Sequence, residues 1–322
     1  MPFKNSVASL ICSVVGACSA GDVVWQADTP IRTVEKTVLA PYAPLLFPED
    51  MQSIGRDWVL GDAGRLFPWH SYVNADTSAA VLNRLSERLE GGAAVFYPIY
   101  PETVRDAEPR KRSVGLFYFP GLKKAPFAVI SAGGGFAYVG SLHESLPHAL
   151  WLSQHGIHAF ALQYRTGSAE AACEDLAAAI DFIFRRADAF GLDPRGYSLW
   201  GGSAGARMAA YLGTYGPSAF GAPAHPRPAA VIMQYTGHRD VSHSDPATYV
   251  CIGTHDAIAS PHVMKRRTEI LQSWGIPAQI EIFEGLPHGF GLGIGTPAEG
   301  WIHNALQFWL NQRNLYYEGN HK

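Results

Sequence analysis

The chain has 322 residues, 47% of them hydrophobic and 16% charged, a balance that builds a buried core and excludes a disordered polymer. With 25 basic against 28 acidic residues the formal charge is −3, so nothing electrostatic favours nucleic acid as a partner. No apolar run approaches the roughly 18 residues that a bilayer span requires.

Residues 1–20 have the pattern of an export signal, directing the protein to the periplasm or the medium. Met1–Asn5 carries one Lys and no acid, Ser6–Ala17 is uncharged and apolar, and small residues follow. Two kinds of processing fit. Cleavage before Gly21 would give a conventional mature chain, whereas Val15-Gly16-Ala17-Cys18 is similar to a bacterial lipobox and would make Cys18 a lipid anchor. A buried N-terminal strand is the plain alternative. Residues 21–93 are rich in Pro, Trp and polar side chains and weakly periodic, apart from a helix predicted over 78–89. This extension is expected to wrap the core or to cap it. Within it, Phe67-Pro68-Trp69-His70 offers Trp69 as a cleft-lining residue, with packing against the sheet as the competing reading.

From 94 to 322 strand-like and helix-like segments alternate, which predicts a single catalytic domain. Strands are expected at 94–100, 114–119, 126–131, 157–163, 197–200, 229–235, 248–253 and 278–283. Several are unbroken apolar runs, as strands covered on both faces require. Helical patterns lie near 144–155, 169–190, 204–215, 262–274 and 297–312. In the second of these, Leu176, Ile180, Ile183, Phe184 and Ala187 form one stripe, with Asp175, Asp181 and Arg185 off it. The expected fold is a mixed, mostly parallel eight-stranded sheet flanked by helices. The connection Gly237–Ala247 is too short for a full helix and is expected to be an irregular loop. Cys173 and Cys251 read as buried thiols rather than a disulfide, and Arg165 as a structural ion-pair partner.

The chemistry is carried by four loops, each following a strand. After 126–131 comes Ser131-Ala132-Gly133-Gly134-Gly135-Phe136, where glycines let backbone N–H groups turn toward a carbonyl oxygen. Gly134 and Gly135, with Ala204 further on, are the candidate donors for a developing oxyanion. Phe136 and Tyr138 stand beside this loop as substrate-contact candidates. The spacing does not give G-x-G-x-x-G, since position 138 is Tyr, so a phosphate loop is disfavoured; a plain turn is the bland alternative. After 197–200, Gly201-Gly202-Ser203-Ala204-Gly205 matches G-x-S-x-G, a tight strand-to-helix turn that lifts a serine hydroxyl above the sheet edge. A glycine-rich structural turn would look the same.

Such a serine places its acid and its base downstream. Gly253-Thr254-His255-Asp256 follows 248–253 and makes Asp256 the preferred acid, with Asp240 as runner-up. Gly285-Leu286-Pro287-His288-Gly289-Phe290 follows the last strand and makes His288 the base, ahead of His238, His243 and His255. The chemistry needs no cofactor, and no HExxH, paired-Cys motif or acidic cluster argues for a metal.

Together GGGF, GGSAG, GTHD and LPHGFG resemble the bacterial acetyl esterase and feruloyl esterase-like α/β hydrolases, near the hormone-sensitive-lipase-like esterases, over roughly 94–312. That family's glycine motif usually begins with His, where this chain has Ala132. The resemblance implies an α/β-hydrolase fold and a serine carboxylester hydrolase acting through an acyl-enzyme. Its substrates would be small-molecule or oligosaccharide esters of acetyl, other short or aromatic acids. A serine peptidase of the same fold and a non-catalytic carbohydrate-binding protein are the rival readings.

Overall fold

The computed structural model describes residues 23–48 and 51–319. The export-signal readings, Cys12 and Cys18 among them, lie outside the described residues. Among those described, no helix is long and apolar enough to cross a membrane.

Eight strands form one sheet: β1 Phe96–Pro98, β2 Gly115–Phe119, β3 Phe127–Ser131, β4 His158–Gln163, β5 Ser198–Gly202, β6 Ala230–Gln234, β7 Ala247–Gly253 and β8 Ala278–Phe283. Their order is β1-β2-β4-β3-β5-β6-β7-β8. The first two pairings, β1 with β2 and β2 with β4, are antiparallel, and every later pairing is parallel. Strands β2 to β7 are buried along their whole length, which is why their sequences run apolar without alternation. Strand β8 is only partly covered: Gln279 and Ile282 are exposed and the other four residues, Glu281 among them, are half-buried. It forms an edge, and polar side chains there discourage pairing with another chain.

Helices Ser145–Gln154, Ala169–Arg185, Ser203–Tyr215, Pro261–Ser273 and Trp301–Gly319 follow the strands. Their starts have local causes. The Ser168 hydroxyl accepts the N–H of Ala171 at 3.2 Å, and Asn74 Oδ1 accepts that of Thr77 at 2.9 Å to open Ala75–Glu90. Three details differ from the periodic reading. The pattern at 169–190 is broken at Arg186, and a separate turn Ala187–Phe190 ends at Gly191 with φ 67°. The final helix starts at Trp301, because Gly300 has φ 93°, outside the helical region. Asp175 is not on a solvated face: it is buried and accepts from the backbone N–H of Arg165 and from the Tyr100 hydroxyl at 2.7 and 2.6 Å. Its charge answers Arg165, which also reaches Glu108 and Glu174. The stretch between β6 and β7 holds no helix, and Cys173 and Cys251 are free and buried.

Side chains from the segment before β1 join the same apolar cluster as the sheet. Trp25, Ile31, Leu46, Phe67 and Leu82 pack in continuity with Phe117, Phe160 and Leu162. The peptide at 67–71 thereby reaches the carboxyl ends of the strands, where the four loops gather.

Candidate active site

Strand β5 ends at Gly202 and the helix begins at Ser203, whose φ is 49°. A serine in the left-handed region is strained, and the surrounding contacts hold it there. A Cβ on Gly205 would run into the carbonyl oxygen of Ser131, and one on Gly201 into the backbone of Gly205. The helix therefore approaches β3 and β5 too closely for any side chain at these two places. G-x-S-x-G is a packing requirement before it is a chemical one.

The glycine loop turns sharply: Gly134, Gly135 and Phe136 have φ 124°, 59° and 62°. The N–H groups of Gly134 and Gly135 donate to no group among the described residues. Ala204 lies in the first helical turn, where a backbone N–H has no partner within the helix. Of these, Gly135 and Ala204 border the same cavity as Ser203.

His288 and Asp256 meet. The imidazole Nδ1–H donates to Asp256 Oδ2 at 2.7 Å, and both residues are buried. The other carboxylate oxygen, Oδ1, accepts the N–H groups of Ile258 and Ala259 at 2.9 and 2.7 Å. A cavity of about 440 Å³ is bordered by Ser203, His288, Ala204, Gly135 and Phe136. Asp240 is not part of it; its carboxylate accepts from the Tyr211 hydroxyl at 3.3 Å. Tyr138 and Trp69 are engaged elsewhere. Their rings stack with centroids 5.4 Å apart, the Tyr138 hydroxyl lies 2.8 Å from His70 Nδ1, and Trp69 covers Gly135 on the side a Cβ would occupy.

Beneath the loops lies a buried polar cluster that the motifs do not reveal. Glu144 is 1% exposed. Its Oε2 accepts the N–H of Gly133, and its Oε1 accepts from His70 Nε2 and the Tyr235 hydroxyl, each at 2.8 Å. Tyr235 has φ 32° and sets its ring edge-on to His288, 5.0 Å between centroids. Burial alone would raise the Glu144 carboxyl, but His70 and the Gly133 N–H outweigh it and hold it down at about 2. Ser71 completes the support: its Oγ donates to the His288 carbonyl at 2.7 Å and its N–H to that of Gly289 at 2.9 Å. His143 Nε2–H also donates to Gly289, at 2.8 Å. The signal in the sequence was faint, a lone acid and three histidines within an apolar helical start at 141–150 and in 67–70.

Burial lowers His143 and His148 to about 4. Between pH 6.5 and 4 the unfolded chain binds protons at both rings that the folded chain refuses, so acid favours unfolding there. Glu144 adds the same sign below its unfolded value of 4.5. Stability should therefore fall by up to about 1.4 kcal/mol per pH unit for each group. Urea midpoints measured from pH 7 to 4 check this; a flat profile would contradict burial of the two rings as neutral groups.

Residues 117–224 match the family model BD-FAE, an esterase-associated α/β-hydrolase domain. No curated protein matches the chain. Among solved structures, an acetyl ester-xyloside bifunctional hydrolase from Caldicellulosiruptor lactoaceticus is similar at 20% identity and TM-score 0.59, covering 67% of this chain and 95% of that one. MGS-M1, an α/β hydrolase from a Medee basin deep-sea metagenome library, gives 22% and 0.55 over 62% and 93%. Thermogutta terrifontis esterase 2, solved phosphorylated by paraoxon, gives 19% and 0.53 over 62% and 88%. The chain thus has the α/β-hydrolase fold, and its residues 117–224 match the BD-FAE family model.

Proposed function

We propose that the protein is a serine carboxylester hydrolase acting through an acyl-enzyme on acetyl or other short or aromatic acyl esters, those of carbohydrates included. The observation that carries this reading is a strained serine facing the same cavity as an imidazole whose far nitrogen is bound to a buried carboxylate. Ser203 Oγ would attack the ester carbonyl carbon while His288 Nε2 takes its proton. Asp256 accepts the Nδ1–H, fixing the tautomer and stabilising the imidazolium that forms. The carbonyl oxygen becomes an oxyanion held by the N–H groups of Gly134, Gly135 and Ala204; one such donor is worth about 3–4 kcal/mol of barrier. Collapse breaks the bond to the alcohol, which leaves with the proton from His288. Water, deprotonated by His288, then attacks the acyl-enzyme and releases the acid. The pattern of residues 1–20 supports an exported enzyme.

Paraoxon is a direct test, because it phosphorylates an activated serine without needing the right ester. The expected result is one diethylphosphoryl adduct on the peptide holding Ser203, loss of p-nitrophenyl acetate hydrolysis in step with labelling, and neither reaction in Ser203→Ala. Hydrolysis that survives in a folded Ser203→Ala protein would overturn the reading.

A further inference from the structure

Two arginines border the cavity that holds Ser203. Arg207 lies four residues beyond Ser203 in the same helix, so the two side chains share a face. Arg239 comes from the loop after β6. Both are exposed, and neither guanidinium makes a hydrogen bond or an ion pair among the described residues. This is not how the chain treats its other arginines near the sheet: Arg165 meets three carboxylates, and Arg267 is paired with Asp245 at 2.7 Å.

Among the described residues, no carboxylate lines the cavity to balance the two charges. Asp256 is buried behind His288 and already accepts three N–H groups. Asp240, the neighbour of Arg239 in sequence, accepts from Tyr211. The helix Pro261–Ser273 begins at the same wall, with Ser260 and Val263 on the lining, and turns its positive end there. In a chain of net charge −3, the wall beside the nucleophile is positive. Guanidinium groups recognise carboxylates through paired N–H donors.

We propose that Arg207 and Arg239 form a recognition site for substrates that carry an ionised acid group besides the scissile ester, a carboxylate several bonds from the reacting carbonyl. This rests on Ser203 being the nucleophile. The carboxylate belongs either to the acyl part or to the alcohol part, and matched esters separate the two.

The experiment measures kcat/KM at low ionic strength for two charged and neutral pairs. The mono-p-nitrophenyl ester of glutaric acid against p-nitrophenyl valerate places the charge on the acyl side. 4-Acetoxybenzoate against its methyl ester places it on the alcohol side. Each charged-to-neutral ratio is compared between the parent enzyme and the double variant Arg207→Gln with Arg239→Gln, which cancels the intrinsic reactivity of the esters. One ratio should be about tenfold higher in the parent and should converge on that of the variant as salt shortens the Debye length from about 30 to 8 Å and below. Equal ratios in both enzymes for both pairs overturn the proposal while leaving the esterase reading intact. Calorimetric titration of Ser203→Ala with glutarate needs no turnover. Binding that disappears when both arginines are replaced supports the site independently, and absence of binding together with equal ratios removes it.

Discussion

Asp256→Asn should lower kcat for p-nitrophenyl acetate by roughly 10⁴-fold with the fold intact, the loss expected when the imidazole of a serine triad is held in the wrong tautomer. The structure says why the amide would be harmful. Two backbone N–H groups, those of Ile258 and Ala259, point at Oδ1. An asparagine would leave its oxygen there and turn its NH₂ toward His288 Nδ1. That nitrogen must then accept, so the ring proton moves to Nε2, the atom that has to receive the proton of Ser203. Steady-state kinetics with a thermal melt of the same sample decide the matter. A loss under tenfold would show that Asp256 does not orient the base. Asp240→Asn is the control, since that carboxylate is directed at Tyr211, and it should retain nearly the parent rate.

The second large effect is on stability. Glu144→Ala would strand the Gly133 N–H, His70 and the Tyr235 hydroxyl at once. Removing one partner of a buried, hydrogen-bonded pair costs about 3–5 kcal/mol, and the melting temperature should fall on the order of 10 °C in a domain of this size. Activity should fall as well, chiefly in kcat. The Gly133 N–H anchors the loop that presents Gly134 and Gly135, and Tyr235 buttresses the His288 ring. Differential scanning calorimetry and kcat/KM for p-nitrophenyl acetate are the readouts. A Tm within a degree of the parent with unchanged kcat would mean that the cluster neither holds the loops nor stabilises the fold. Glu144→Gln should be milder, because one oxygen remains while the amide NH₂ faces a donor in place of an acceptor.

The parallel part of the sheet was legible because burial on both faces forces continuous apolar runs, as at Phe127–Ser131 and Ala230–Gln234. The loops were legible for a different reason. Glycine at 201 and 205 is imposed by helix–strand contact, and histidine and aspartate follow strands whose carboxyl ends share one edge. What could not be read is the cluster around Glu144. Its partners, His70 and Tyr235, are separated from it by tens of residues, and no period or spacing links them. The burial of Asp175 was not legible for a related reason. Helical periodicity assigns a charged residue to the solvent side, and only the tertiary approach of Arg165 and Tyr100 makes its burial tolerable. Tyr138 showed the same limit, since proximity in sequence to a reactive loop does not say which side of it a ring will occupy.

The link from Ser71 to the carbonyls of His288 and Gly289 bears on how this enzyme can be recombined. Swapping modules with other hydrolases at a boundary near 93 would separate a clamp from the loop it grips, although every residue of the proposed triad stayed on one side. Crossovers that move 67–71 and 285–291 as a single unit preserve that grip, so the sensible parts list for this scaffold is drawn by contact and not by position along the chain.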